Sequence, residues 1–426
     1  MRSLWTMAWM GIVGCGPAPV GVSDPTHLQR VGWSHGVVGG VTVDLYAPIT
    51  PAPADGRPLL MVLHGCIQTP DDLKNNADFE ATAEAYGAVI ALPKVPNGGK
   101  YAGCWNYYGS SHTRTSGDAA ALLGLTTALL GDVTLDLAPE KVWIAGISSG
   151  ASMSMVMGCL APEVYAGVGI AAGPTVGTTA FQITQVKSSL TTGSNVCRTL
   201  AGSHADAFDT QLAGVISGTR DYTVAQGYAP LNAQIFAGLY AEAGGVPAFD
   251  VTAFDAVTAP GYQPKGSGTT FDDELGPRVS LISATDMGHA WPGGTGPGAE
   301  IAYVARQGVD YAAYLAEFFS THARRSTPVE LPDEPPDEPP TTEPEPEPEP
   351  EEPPAEDPPA EGCWVDVVTD DINGHLSRYD VYPAGYGAAD ETYVKLLDLY
   401  GVFGEFTLYA SADGDWYLTP ENVPGC

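Results

Sequence analysis

Basic residues are scarce in this chain: 18 Lys and Arg stand against 51 Asp and Glu, a formal net charge of −33 over 426 residues. Phosphate backbones are held by clustered cations, so nucleic-acid binding is excluded as a main role. Membrane-spanning runs are missing as well. The apolar stretch Leu4–Val13, interrupted by Thr6, is too short to cross a bilayer. No C-x-x-C pair and no H-E-x-x-H spacing occurs, which leaves a zinc site without support. Charged residues are only 16% of the chain and hydrophobic ones 44%, a balance that suits a buried globular body.

What is present is unevenly distributed. Fourteen acids and no base lie between Glu330 and Glu361, leaving −19 for the rest of the chain. Ser326–Gly362 is almost wholly Pro, Glu, Asp and Thr. Such a segment buries nothing and repels itself, so it reads as a disordered, proline-stiffened linker reaching up to about 110 Å at about 3.1 Å per residue. At the other end, residues 1–15 carry one early cation, Arg2, then the short apolar run, and read as an export signal. They close on Ile12-Val-Gly-Cys15, which resembles the lipobox of bacterial lipoproteins. That resemblance implies lipidation of Cys15 and an extracytoplasmic location, secreted or anchored to the envelope, with the membrane touched only through that anchor. Six further cysteines remain: Cys66, Cys104, Cys159, Cys197, Cys363 and Cys426. An even number in an exported chain reads as disulfides; fifteen connectivities are open, and nearest-in-sequence pairing is the simplest.

Three regions follow: a body over 30–325, the linker over 326–362, and a small unit over 363–426 bracketed by cysteines. The body alternates short apolar runs with helix-like stretches, the pattern of a doubly wound, mostly parallel α/β sheet. Strands are expected at Val41–Tyr46, Leu59–Leu63, Ala88–Leu92, Val142–Ala145, Gly167–Ala171, Ala213–Ser217 and Val279–Ser283. Helices are expected at Ala77–Tyr86, Asp118–Leu130, Met153–Leu160, Ala229–Ala243 and Val304–His322. In the last unit the alternation in Phe406–Ala410 and the strand-like Trp416-Tyr-Leu suggest a β-rich module.

One motif in the body carries chemistry. Gly146-Ile-Ser148-Ser-Gly150 follows an apolar strand and precedes a helical run, the setting of a nucleophile elbow. The turn is so tight that positions two before and two after the serine must lack side chains; Gly146 and Gly150 flank Ser148, whereas Ile147 and Ala151 flank Ser149. Ser148 is therefore the candidate nucleophile, with the Ser149 N–H as an oxyanion donor. A serine needs a base and the base an orienting acid, in the chain order Ser, acid, His. Of His204, His289, His322 and His375, His289 occupies a turn-rich loop after a late strand and is the candidate base. Asp221 sits in the loop past the preceding strand and is the candidate acid; Asp286 shares the loop of His289 and is harder to aim at it. Leu63-His-Gly65-Cys66 ends an early strand, where the Gly65 turn lets the Cys66 N–H face the site. His64 reads as a residue that holds this loop. No cofactor or metal is needed for acyl transfer by such a set.

Taken with Cys104-Trp-Asn106-Tyr-Tyr, Gly218-Thr-Arg-Asp-Tyr-Thr-Val224 and Met287-Gly-His-Ala-Trp291, these motifs resemble the polyhydroxybutyrate (PHB) depolymerase-type esterases, a group that includes feruloyl and acetylxylan esterases. The likeness runs from about residue 35 to 320 with the motifs in order. It implies an α/β-hydrolase fold, Ser148, Asp221 and His289 as triad, and Cys66 and Ser149 as oxyanion hole. It further implies Trp105 and Trp291 near the substrate, and a Cys66–Cys104 bridge at the mouth of the site. The expected activity is hydrolysis of a carboxylic ester, polymeric or not. The chain departs from the group's common Cys-Trp-Asn-Trp-Phe by its two tyrosines. A serine peptidase of the same fold and a non-catalytic surface binding protein remain as competing readings, against which the surrounding motifs and the intact triad respectively argue.

Overall fold

The computed structural model describes residues 31–245, 249–255, 266–295, 299–325, 366–370, 406–410 and 416–417. Its elements run β1 (Gly32–Val38), β2 (Val41–Ala47), β3 (Arg57–Leu63), α1 (Pro70–Asn76), α2 (Phe79–Tyr86), β4 (Val89–Pro93), α3 (Gly117–Leu130), β5 (Leu137–Ile147) and α4 (Ser149–Leu160). Then follow β6 (Gly167–Ala171), α5 (Leu190–Ala201), β7 (Leu212–Gly218), α6 (Tyr228–Ala243), β8 (Asp250–Asp255), β9 (Gly266–Asp273) and β10 (Gly276–Ala284). The body closes with β11 (Trp291–Pro292), β12 (Val304–Ala305) and α7 (Tyr311–Thr321).

Ten strands form one sheet in the order β1-β2-β4-β3-β5-β6-β7-β10-β9-β8. The middle, from β4 to β10, is parallel, and antiparallel pairs extend both edges. Successive side chains of a strand point to opposite faces, and the cores divide accordingly. Leu59, Met61 and Leu63 pack under α3, α4, α5 and α6, while Leu60 and Val62 pack under α1, α2 and α7. Covering both faces is what lets β4, β6 and the stretch Pro58–Leu63 of β3 be apolar throughout. Parallel pairing brings the C-terminal ends of β3, β5, β7 and β10 to one edge, where ligands of such sheets bind.

All seven expected strands are present, and Gly167–Ala171 has the same bounds. The antiparallel β1, β8 and β9 lie outside the expected strands; β9, rich in Gly, Ser, Thr and Asp, contains no apolar run. The expected helix Val304–His322 is shorter. Val304–Ala305 pairs with Trp291–Pro292, and α7 starts only at Tyr311, where the Asp310 side chain caps it by accepting the Ala313 N–H at 3.1 Å. Helices α1 and α5 had not been expected. The bridges Cys66–Cys104 and Cys159–Cys197 are formed. Cys15, Cys363, Cys426 and the whole acidic segment lie outside the described residues. Past that segment, Asp366–Asp370, Phe406–Ala410 and Trp416–Tyr417 make a three-stranded antiparallel sheet (β13, β14 and β15), in keeping with a β-rich C-terminal unit. No helix among the described residues is long and apolar enough to cross a membrane.

The Asp310 cap has a pH consequence. Burial pushes its carboxyl from 3.8 up to about 7; the Ala313 N–H opposes the rise and the nearby Asp78 charge adds to it. Unfolded, the same group gives up its proton near pH 4. Between these values the native state holds the extra proton, so stability falls as pH rises from about 4 to about 7. Asp310→Asn keeps the capping oxygen and removes the titration. Melting curves at pH 5 and pH 8 should show a smaller pH-dependent fall in the variant, by at least about 4 °C; equal falls would contradict the assignment.

Candidate active site

Strand β5 buries its last six residues and the chain then reverses into α4. Ser148 makes the reversal with φ 56° and ψ −120°, a conformation that costs energy for any residue with a side chain and is tolerated where the surroundings impose it. The surroundings do so through glycine. A methyl on Gly146 would lie 2.5 Å from the Gly150 carbonyl carbon, and one on Gly150 would lie 2.3 Å from the Leu63 oxygen. The Ser148 N–H is held by the Ala171 carbonyl at 3.0 Å. Ser149 is buried, and its Oγ accepts the Trp105 N–H at 3.4 Å. As the first helical residue, Ser149 has a backbone N–H with no partner inside the helix.

The loop after β7 and the loop after β10 are stitched to each other. Thr219 N–H donates to Ala284 O at 2.9 Å, Arg220 N–H to Met287 O at 2.9 Å, and Asp286 N–H to the Thr219 hydroxyl at 2.9 Å. The approach is so close that a methyl on Gly218 would stand 2.1 Å from Met287 O. The clamp brings Asp221 and His289 together: Asp221 Oδ2 lies 2.9 Å from His289 Nδ1. Asp221 Oδ1 accepts the N–H groups of Thr223 and Val224, both at 2.9 Å, so one carboxylate oxygen fixes the loop and the other faces the imidazole. Asp221 is only 4% exposed. Asp286 turns outward instead and pairs with Arg220 at 3.0 Å.

The third loop follows β3. His64 Nδ1 lies 2.8 Å from Gly65 O, and Val95 N–H donates to Nε2 at 3.2 Å. An N–H can only donate, so Nε2 carries no proton and Nδ1–H donates to Gly65. Burial lowers the His64 pKa in the same direction. Both nitrogens are occupied in holding the loop. The Cys66 N–H meets no acceptor among the described residues. Gln68, which had been given no role, ties this loop to a distant turn: its Oε1 accepts the Gly65 N–H at 2.7 Å and its Nε2 donates to Ala302 O at 2.6 Å. Tyr303 in that turn sets its ring edge-on to His289 at 6.4 Å between centroids. Glu300 also lies close by; partial burial raises its pKa and the neighbouring His289 opposes the rise.

A cavity of about 230 Å³ opens beside Ser148, bounded by the Cys66–Cys104 bridge, Ser149, Tyr107, Tyr108, Pro174, Ile183 and Val224. Two expected substrate contacts are absent from its walls. The Trp105 side chain is fully buried behind the nucleophile turn, tilted against His64 at 5.6 Å. Trp291 is fully buried against Phe79 and Tyr311, in the core on the other side of the sheet. Each indole packs into one of the two cores that cover the sheet faces, Trp105 with the α3–α6 side and Trp291 with the α1, α2 and α7 side. Their places at the pocket are taken by Tyr107 and Tyr108, the positions that depart from the family pattern, and by Ile183, which belongs to no motif. A larger cleft of about 490 Å³ lies among Pro53, Lys141, Phe319 and Arg324, and shares no residue with the Ser148 cavity. Among the described residues no cluster of His, Cys, Asp or Glu is placed to hold a metal ion.

A serine in an elbow after a parallel strand, with a carboxylate–histidine pair on loops from later strands of a doubly wound sheet, defines an α/β-hydrolase. Comparison with known proteins narrows this class. Residues 41–244 match the family described as Esterase PHB depolymerase. A poly(3-hydroxybutyrate) depolymerase of Ralstonia pickettii is 37% identical over 330 residues, 74% of this chain and 65% of that one. Poly(3-hydroxyalkanoate) depolymerase C of Paucimonas lemoignei is 26% identical over 279 residues, 62% and 63% of the two chains. Acetylxylan esterase A of Aspergillus ficuum is 28% identical over 141 residues, 32% and 44%. Through residues 41–244 the chain is similar to the PHB depolymerase esterases; it spans 65% and 63% of the length of the two depolymerases.

Proposed function

We propose that the protein is an exported carboxylic-ester hydrolase that works through an acyl-enzyme on Ser148. The carrying observation is the strained Ser148 turn opening onto an apolar cavity, with a buried Asp221–His289 pair on the adjoining loops. In this reading Ser148 Oγ attacks the ester carbonyl carbon and its proton passes to His289 Nε2. Asp221 holds the Nδ1–H tautomer and favours the imidazolium that forms. The N–H groups of Cys66 and Ser149 receive the carbonyl oxygen as it gains charge. Collapse of the intermediate expels the alcohol, protonated by His289, and water then repeats the sequence on the acyl-enzyme. Polyesters and acetylated polysaccharides are the substrate classes suggested by the names of the relatives, and the apolar cavity suits an aliphatic acyl group. The two disulfides support an oxidising, extracytoplasmic location, with Cys15 as the proposed lipid anchor. Labelling by a fluorophosphonate, abolished in Ser148→Ala, tests the mechanism; a panel of esters against amides tests the bond cleaved.

The proposal includes a division of labour. Every residue given a chemical role precedes Ser326, and a like-charged, proline-rich segment has little with which to dock. A chain ending at Arg325 is expected to match the full-length protein on a soluble ester within about twofold. The full-length protein should be faster on a particulate polyester, because a tethered second contact raises effective concentration at the surface. Equal rates on the particles would remove the binding role of residues 363–426. Loss of soluble-ester activity in the short chain would show that the division is wrong.

A further inference from the structure

Between β6 and α5 the segment Thr179–Ser189 crosses the rim of the Ser148 cavity. Two of its side chains, Ala180 and Ile183, line that cavity. Two others, Phe181 and Val186, are exposed at 66% and 40%, so the segment has little core of its own to fix it. A reciprocal cap between Thr179 and Gln182 shapes its first turn, with Thr179 N–H donating to Gln182 Oε1 at 2.9 Å.

What holds it against the body is concentrated at the start of α6. The Tyr228 hydroxyl lies 2.6 Å from Gln182 O and 2.9 Å from Gln185 O, and accepts the Lys187 N–H at 3.3 Å. Three backbone groups of one exposed segment thus converge on a single, fully buried tyrosine. A phenol has one proton, so it serves one of the two carbonyls at a time while accepting from Lys187. A fourth bond runs from Ala225 N–H to Ile183 O at 2.8 Å. Ala225 follows Val224, which lines the same cavity and whose N–H is held by Asp221 Oδ1. The wall of the pocket and the acid of the Asp221–His289 pair are therefore parts of one hydrogen-bonded run.

We propose that Thr179–Ser189 is the wall that sets acyl-chain length at the Ser148 pocket, and that Tyr228 is the positioning residue whose hydroxyl holds it. The inference rests on the reading of Ser148 as the acylated residue. With the wall in place, a cavity of about 230 Å³ takes a short aliphatic acyl group, and a longer chain meets Ile183. Loosening the wall at Tyr228, or trimming it at Ile183, admits the longer chain.

Tyr228→Phe keeps the ring and deletes the oxygen; Ile183→Ala shortens a half-buried side chain. Both are compared with the wild-type protein on p-nitrophenyl butyrate and octanoate. The ratio of kcat/KM for octanoate to that for butyrate is expected to rise at least about threefold in each, as loss of a pocket methylene or two allows. The Lys187 amide should also exchange with deuterated water faster in Tyr228→Phe, a local readout that a general loss of stability would not confine to this segment. Fluorophosphonate labelling of Ser148 is followed in parallel. Normal labelling with unmoved ratios and unmoved Lys187 exchange overturns the proposal while leaving the hydrolase reading intact. Absence of labelling in the wild-type protein overturns both. A Tyr228→Phe protein that fails to fold shows the hydroxyl serving the whole body rather than the wall and overturns its positioning role, while Ile183→Ala still decides the wall.

Discussion

Ser148→Ala is expected to lower turnover of p-nitrophenyl butyrate by at least about 10³-fold, with the melting temperature nearly unchanged. The elbow presents one side chain at its apex, and φ 56° at that position leaves no neighbour able to substitute for it. Ser149 is the instructive comparison. Its Oγ is already taken by the Trp105 N–H, and the feature assigned to catalysis is its backbone N–H, which alanine retains. Ser149→Ala should therefore cost no more than about tenfold. If the two results are exchanged, the nucleophile is misassigned, and the glycine-spacing argument fails with it.

Asp221→Asn should cost on the order of 10⁴-fold in kcat, the loss seen when an orienting carboxylate is neutralised in a serine triad. The amide would still accept the N–H groups of Thr223 and Val224, so the loop keeps its shape. An amide donor facing His289 Nδ1, however, imposes the wrong tautomer, and the imidazolium loses its counter-charge. Asp286→Asn removes only an exposed pair with Arg220, worth at most about 1 kcal/mol, and should leave kcat within about twofold. Steady-state kinetics of both variants decide between the carboxylates, and a larger loss in Asp286→Asn would sink the choice of Asp221.

Much of the sheet was legible because burial on both faces leaves a local trace. Leu59–Leu63 and Gly167–Ala171 are uninterrupted apolar runs, and a chain that spends five residues in that way has few other places to go. The antiparallel strands β8 and β9, added beyond β10, left no such trace. Five of the eight residues of β9 are polar because its sides are only partly covered, and its pairing with β10 depends on a register that no composition encodes. The end of α7 was legible and its start was not, since the helical recurrence of Val309, Ala312, Leu315 and Phe318 runs back past Tyr311 while the Asp310 cap interrupts it.

The site divides along the same line. Gly146, Ser148 and Gly150 lie within five consecutive residues, so the steric demand of the elbow is written directly into the chain and could be read from it. The order of Asp221 and His289 could be read too, because each follows an apolar run of the parallel sheet. Only the tertiary structure decided what surrounds the reacting atoms. The cavity wall is assembled from the loop after β3, the Cys104–Tyr108 loop, the segment carrying Ile183 and the turn at Val224, pieces far apart in the chain. Their convergence is set by how the crossover helices pack on the two faces of the sheet, a sum over many distant contacts. For that reason the tryptophans of the motifs turned inward to fill cores, and Ile183, which no motif marks, came to line the cavity beside the serine.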